Sequence, residues 1–276
     1  MGVKFFGQFL IEQGEIDACQ LRQALDLMND HNKQLGEIAV EKGYLLQSES
    51  DWINLRQRTT DQPFGELAEQ VGMMSREQLD EVVELQRSTR LQIGEALVSL
   101  ECISGDKLPT LLDHFKVDQA PYEVQNRSLD PELDDNPVAH LVLHLLPKFC
   151  MRMAKVPVKM GVGQPLGEST SHAFKVGLAM HGPPNLEVTL LCDDVFARHL
   201  AASVSGMNPD PLTDELVADG VGEFLNVLCG NAVAALERDG VLVALDPPVY
   251  DIAPQTGIAF ELTVGDGSAS LVLACA

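Results

Sequence analysis

Basic residues are scarce. Lys and Arg total 19 against 41 Asp and Glu, for a net charge of -22. A chain this acidic repels phosphate backbones and anionic bilayers, so nucleic acid and membrane surfaces are poor partners and basic groups are better ones. No apolar run approaches the roughly 18 residues of a membrane span. The start, Met1-Gly2-Val3-Lys4-Phe5-Phe6-Gly7, turns polar too soon for a secretory signal. Six cysteines (Cys19, Cys102, Cys150, Cys192, Cys229, Cys275) occur without a C-x-x-C pair, most among apolar neighbours. They read as reduced core thiols of a cytoplasmic protein rather than as disulfides or zinc ligands. What is present suffices for folding: 45% of the 276 residues are hydrophobic, which excludes wholesale disorder. At roughly 150 residues per domain the chain holds about two domains.

The first part repeats itself. Gly7, Gly36, Gly65 and Gly94 stand 29 residues apart, and Gly14, Gly43 and Gly72 follow three of them seven residues later, with Glu101 in the fourth place. Each repeat reads as a short helix, a glycine stop and a longer helix. The second glycine suits a left-handed C′ position, which only Gly adopts cheaply. Asp17, Ser75 and Ser104 then stand as N-caps, and Asp17 with Gln20 and Ser75 with Gln78 form capping boxes. Leu46 breaks that pattern. Leu21 and Leu25, Leu79 and Val83, and Leu108 and Leu112 recur at i, i+4 as a buried stripe. One such unit cannot bury its apolar face alone, so residues 1–117 are expected to form an all-α array of four packed repeats.

The spacing G-x6-G-x6-L-x3-L-x2-Q resembles the N-terminal domain of type II secretion and pilus-assembly ATPases, best in Gly65, Gly72, Leu79, Val83 and Gln86. Some members of that family bind cyclic di-GMP. Those versions carry Arg two residues before the first Gly, where this chain has Phe5, Gln34, Pro63 and Gln92. Without that guanidinium the bidentate phosphate contact is lost. A protein-docking module and a nucleotide sensor both remain open. No G-x-x-x-x-G-K-[ST] loop occurs, so no ATPase part follows.

Residues 118–136 change character. Pro121, Pro131, Asp118, Glu123, Asp130, Glu132, Asp134 and Asp135 give an acidic, aperiodic stretch that reads as an extended linker. Residues 137–276 mix helices with strands. Helices are expected over about 138–153, 194–204 and 210–238, the last with Asp210 as N-cap before Pro211 and Asp239-Gly240 as its stop. Strands are expected over about 156–160, 172–180, 186–191, 241–245, 256–264 and 268–275, with turns at His181-Gly182-Pro183-Pro184 and Gly265-Asp266-Gly267. Hairpins interrupted by helices imply an α+β domain, a mainly antiparallel sheet with helices on one face. His140 and His144 lie at i, i+4 with no Glu or Cys arranged around them, so they read as an exposed helix face rather than a metal site.

The chemistry concentrates on the last helix. At about 100° per residue, Asp219, Glu223, Asn226 and Gly230 fall within roughly 60° of one another. Val217, Val221, Phe224, Leu228 and Ala235 fall on the far side. An apolar face thus meets a core while an acid–acid–amide–glycine stripe faces out. Gly220, Gly222 and Gly230 cost about 1 kcal/mol each in a helix interior relative to Ala, and they are expected to leave the face low enough for close approach by another protein. No Lys or Arg stands nearby in the sequence to pair with Asp219 and Glu223. A bare E-x-x-N on a helix is usually only a solvated face; the surrounding residues single this one out.

The stripe D-x3-E-x2-N, followed by Gly-Asn and a later Pro, resembles the CheC/CheX/FliY family of chemotaxis phosphatases through Asp219, Glu223, Asn226, Gly230, Asn231 and Pro248. The resemblance implies an α+β sheet with two long helices on one face. It implies removal of phosphate from the aspartyl phosphate of a CheY-type response-regulator receiver. It implies no cofactor of the chain's own, since Mg²⁺ and a Lys belong to the receiver. Asn226 would hold a water in line with phosphorus, because a carboxamide both donates and accepts without titrating. Glu223 would pair with the receiver's Lys. Asp219, Gly230, Asn231 and Pro248 would add weaker receiver contacts. A single E-x-x-N helix makes the chain CheX-like, and such proteins can pair through sheet edges, which implies a homodimer. Two other readings stay open: an adaptor that binds a receiver, or cyclic di-GMP, without turnover, and a structural subunit of a motor-switch kind.

Overall fold

The computed structural model describes residues 4–57, 60–125, 131–167, 172–182, 185–206, 212–238, 240–264 and 267–275. The chain divides into two compact units, residues 4–121 and residues 122–276.

The first unit is helical: α1 (Phe6–Glu12), α2 (Ala18–His31), α3 (Leu35–Glu41), α4 (Gln47–Gln57), α5 (Phe64–Gln70), α6 (Arg76–Thr89), α7 (Ile93–Ser99) and α8 (Leu108–Gln125). Its burial keeps the 29-residue interval. Leu10, Ala39, Ala68 and Leu97 are buried on the short helices, and Ile16, Leu45, Met74 and Ile103 after them. Each short helix crosses its long partner at the first glycine. A Cβ on Gly7, Gly36, Gly65 or Gly94 would touch Leu21, Ser50, Leu79 or Leu108, each fourteen positions later. Gly14, Gly43 and Gly72 take φ of +71°, +73° and +72°, and Glu101 holds the same corner at +57°. The capping boxes form, with Gln20 N donating to Asp17 at 2.8 Å and Gln78 N donating to Ser75 at 3.3 Å.

Four expectations for this unit need correction. The long-helix stripe is i, i+3 rather than i, i+4. Ala24, Ile53, Val82 and Leu111 are buried, while Leu25 and Leu112 are exposed and Val83 is half-buried. The short helix crosses near the start of the long one, and the i+4 residue lies another 100° round the cylinder. Secondly, Ser104 does not open α8. That helix begins at Leu108, and Pro109, which has no N–H to give, fits its first turn. Thirdly, the four repeats do not pack around one shared core. The α3–α6 helices enclose one core, and α1, α2, α7 and α8 enclose another. The connectors between pairs are tied together where the chain doubles back: Asn32 Nδ2 donates to Leu91 O at 2.9 Å, and Leu91 N donates to Asn32 Oδ1 at 2.8 Å.

Lastly, the acidic stretch is not extended where it is described. The helix α8 runs on through Pro121 to Gln125, and a short α9 (Pro131–Asp134) follows. Tertiary packing overrides the composition. Phe115 packs on Phe6 and Phe9, and the buried Gln119 accepts from Lys4 N at 3.0 Å. Lys4 Nζ also pairs with Glu12 and Asp118, and the Glu12 hydrogen bond leads in pushing its pKa up.

In the second unit α10 (Pro137–Phe149), α11 (Asp194–Ser205) and α12 (Asp214–Arg238) accompany β1 (Val158–Met160), β2 (Gln164–Pro165), β3 (Phe174–His181), β4 (Leu186–Cys192), β5 (Ala244–Leu245), β6 (Val249–Tyr250), β7 (Ile258–Val264) and β8 (Gly267–Ala274). The sheet order is β1-β7-β8-β4-β3-β5, with every pairing antiparallel; β2 also pairs with β7 and β6 with β3. Period-two alternation puts Val176, Leu178, Val188, Leu190, Leu262 and Leu271 on one face. There they share a core with α10, α11 and α12, so three helices rather than two cover that face.

The helix expected to reach Met153 passes into a π-turn at Cys150–Ala154, just beyond Pro147. The strands β2 and β6 escaped the sequence reading because two residues beside prolines show no alternation. The strand expected over 241–245 pairs only at Ala244 and Leu245. The Asp210 cap, Asp239, and parts of both predicted turns fall outside the described residues. Within them, α12 opens after Thr213, whose Oγ1 accepts from Leu216 N at 3.4 Å, and Gly240 takes φ +82° beyond its end. By length and composition alone α12 could cross a membrane; half of the qualifying stretch is buried in this core. Cys150, Cys192 and Cys229 are buried, and burial pushes the Cys150 and Cys229 thiols up to about 12. Cys19 and Cys275, expected in a core, are exposed because they sit at a helix start and a strand end.

Glu101 occupies a left-handed corner that Gly fills in the other three repeats. Glu101→Gly is expected to stabilise the chain by about 1 kcal/mol, read as a higher denaturant midpoint with unchanged slope.

Candidate functional site

Everything at the site hangs from α12. Its inner side, Val217, Val221, Phe224, Leu225, Leu228 and Ala232, is buried in the common core. Its N-terminus is tied down by Arg198 of α11, whose Nε donates to both Asp194 oxygens at 2.9 and 3.0 Å and whose Nη1 donates to Leu212 O at 2.8 Å. Arg198 Nη2 also pairs with Asp214. The outer side then has no freedom of choice: Asp219 and Glu223 are exposed, and Asn226 and Gly230 are partly so.

The structure thus brings Asp219, Glu223, Asn226 and Gly230 onto one solvent face. Among the described residues neither Asp219 nor Glu223 takes part in an ion pair. An unpartnered carboxylate one turn from an amide can accept from a basic group and orient a water beside it. Asn231 is not part of this row. It lies about a third of a turn away, and its side chain donates to Val227 O at 2.8 Å. Pro248 lies off the helix, immediately before β6.

The three glycines play different parts, and this corrects the expectation that all three lower the face. A Cβ on Gly220 would come within 2.5 Å of Ala201 Cβ and 2.6 Å of Ala201 Cα, so Gly220 lets α11 and α12 approach. A Cβ on Gly222 would lie 2.8 Å from the Tyr250 hydroxyl and 3.1 Å from its ring. Only Gly230 has nothing within 4 Å.

Tyr250 is the residue that sequence reasoning missed. The edge of the sheet explains its position. The β5–β6 edge pairs with β3 at Met180↔Leu245 and again at Val176↔Tyr250. Pro247 and Pro248 intervene and have no N–H for the ladder. The chain then turns through Asp251 at φ +57°, so Tyr250 points to α12 and Ile252 lies against Gly177 on the other face. Tyr250 and Asp219 line the same cleft. Burial raises the Tyr250 pKa, and the nearby negative charges of Asp219 and then Glu223 push the same way. The usable signal was an unexplained Gly222 inside a helix followed by a Pro-Pro break before a tyrosine.

Beside this face opens a cleft of about 490 Å³ lined by Lys175, Asp194, Asp214, Asp219, Tyr250 and Asp251, among others. It is predominantly acidic, in keeping with a basic partner. Among the described residues no three His, Cys, Asp or Glu side chains cluster as metal ligands.

Residues 176–272 match the family model for the chemotaxis phosphatase CheX. That segment is about a third of the chain and contains every site residue named above from Asp219 to Pro248, and Tyr250. No curated protein matches the chain. Among solved structures, similarity is found to a chemotaxis protein CheX from Desulfovibrio desulfuricans, at 18% identity over 50% of this chain and 99% of that one, TM-score 0.40. A CheC-like superfamily protein from Shewanella sp. PV-4 matches at 20% identity over 51% and 97%, TM-score 0.44. The CheX–CheY–BeF3–Mg complex from Borrelia burgdorferi matches at 19% identity over 50% and 95%, TM-score 0.40.

The glycine geometry separates two substitutions that look alike in sequence. Gly220→Ala is expected to cost about 1–3 kcal/mol, because its Cβ meets backbone on α11. Gly230→Ala is expected to gain up to about 1 kcal/mol from helix propensity alone. Chemical denaturation of both variants tests this.

Proposed function

We propose that the second unit is a phosphatase acting on the aspartyl phosphate of a CheY-type receiver. The observation that carries the reading is the side-by-side placement of Glu223 and Asn226 on the solvent face of a helix whose other side is locked in the core. The match of residues 176–272 to a chemotaxis phosphatase family supports it.

The chemistry asks little of the chain. Water attacks phosphorus as the bond to the aspartyl oxygen breaks; the carboxylate leaves with the bonding pair, and the water's proton goes to the released phosphate or to solvent. The transition state is loose, so orientation outweighs base strength. The half-exposed Asn226 amide accepts from and donates to that water, which supplies positioning rather than proton transfer. The Glu223 carboxylate pairs with the receiver's lysine and sets the helix against the site. Gly230 lets the receiver's surface come close. The receiver brings the Mg²⁺; this chain needs no cofactor of its own. We place the activity in the cytoplasm, where such receivers work.

The helical unit fits a protein-docking role better than a nucleotide site. The four positions where the nucleotide-binding versions of the resembling ATPase domain hold Arg are N-caps here. The N–H groups of Phe5, Gln34 and Gln92 are taken by Gln8, Glu37 and Glu95 side chains at 2.9, 2.7 and 2.8 Å, and Pro63 has none. The Glu37, Glu66 and Glu95 carboxylates in the first turns of α3, α5 and α7 disfavour a phosphate there.

Phosphate loss from a phosphorylated CheY-type receiver in Mg²⁺ tests the assignment. Asn226→Ala is expected to lower turnover at saturation by 10²-fold or more, on the order of a lost positioning group. Glu223→Ala is expected chiefly to raise the receiver concentration needed. Gly230→Ala, although stabilising, is expected to weaken receiver binding. Asn226→Ala at wild-type turnover would overturn the assignment.

A further inference from the structure

We infer that the outward face of α4 is a self-association surface, on which Trp52 and Leu55 pack against the same residues of a second copy of this chain, the two helices running antiparallel. The inference supplies a partner for the helical unit and does not depend on the phosphatase reading.

The repeats give α4 three internal counterparts. Trp52 stands where α2, α6 and α8 hold Gln23, Glu81 and Thr110, and Leu55 where they hold Asp26, Glu84 and Asp113. All six counterparts are exposed. In α4 the exposed residues are apolar instead: Leu55 is 64% exposed and Trp52 38%. The inner side has changed the opposite way. Ser50, buried against Gly36, takes the place of Leu21, Leu79 and Leu108. A helix needed only for its own core gains from leucine inside and acid outside. α4 reverses both, so its apolar outer residues serve another surface. Exposed apolar residues scattered singly need no explanation. These two lie at i, i+3 on one face, and the Arg56 guanidinium stacks 5.2 Å from the centre of the Trp52 ring.

Charge selects the occupant. A basic partner would gain from the acids at the counterpart positions, and α4 has lost them. A second copy, itself acidic, gains from their removal. α4 is also complementary to itself. Glu49 and Arg56 are seven residues apart and so share one flank of the Trp52–Leu55 row. Glu49 Oε2 accepts from Leu46 N at 2.8 Å, which fixes that carboxylate at the rim. About a two-fold axis midway between Trp52 and Leu55, Glu49 of each copy comes beside Arg56 of the other. None of the counterparts carries this acid–base pair; they have Gln20 and Leu27, Gln78 and Leu85, and Lys107 and His114. One 11-residue helix per copy buries less than the roughly 1,200 Å² of a standard interface, so the pair is weak and exchanges rapidly.

Trp52 is the chain's one tryptophan, so its emission reports this face directly. The test titrates the full chain between about 1 and about 300 µM and reads both Trp52 emission and mass by sedimentation equilibrium. The emission maximum is expected to move to the blue as the mass rises toward two copies. Leu55→Glu, which installs the acid of α6, is expected to raise the dissociation constant about tenfold or more, with the helix content intact by circular dichroism. Arg56→Glu is expected to weaken association, read as mass, and Glu49→Lys added to it is expected to restore part of the loss. Emission that stays constant while the mass rises assigns the dimer to another surface and overturns the inference, as does Leu55→Glu that associates like the wild type. A double variant no better than Arg56→Glu alone overturns the antiparallel pairing. Emission that is constant with concentration yet moves on adding a CheY-type receiver gives the face to a different partner and likewise overturns the inference.

Discussion

The close seat of α12 in its core is the constraint on which the rest depends. Val217, Val221, Phe224 and Leu228 fill the space between the sheet and the neighbouring helices, and Gly220 admits Ala201 of α11 almost to backbone contact. A helix held that tightly cannot rotate, since a turn of even one residue would carry Phe224 into water at a cost of about 2–3 kcal/mol. Its polar row is therefore fixed in direction. Glu223 and Asn226 need no further support to stay parallel and one turn apart. Rigid presentation is what an enzyme relying on orientation requires.

The same economy explains the edge of the sheet. An uninterrupted β5–β6 strand would pair with β3 along its length and leave no residue to cross over to α12. Two prolines break the ladder, and the short re-pairing at Val176 turns Tyr250 inward. Thus a feature that weakens the sheet brings Tyr250 against Gly222 of α12.

Sequence periodicity carried much of this, and its failures have specific causes. The 29-residue glycine interval marks real crossings, because Gly7, Gly36, Gly65 and Gly94 each touch the residue fourteen later. The buried stripe was placed one residue off, since Leu25 and Leu112 look more core-like than Ala24 and no composition rule reports where two helices cross. Prolines and acids suggest an extended segment after residue 118, but Phe115 packs on α1 and Gln119 holds Lys4 just before it. At the site, helical spacing was enough to gather Asp219, Glu223, Asn226 and Gly230, because α12 is regular. It did not exclude Asn231, whose amide turns back to Val227 O. It did not supply Tyr250, which comes from a two-residue strand. Nor did it separate three glycines with three different neighbours.

The central claim is that this helix face hydrolyses an aspartyl phosphate rather than merely recognising it. Single-turnover phosphate release from a labelled CheY-type receiver, with the full chain in excess and Mg²⁺ present, tests that claim most directly. The account predicts release at least tenfold faster than from the receiver alone. Equal rates with a receiver that is demonstrably bound would contradict it.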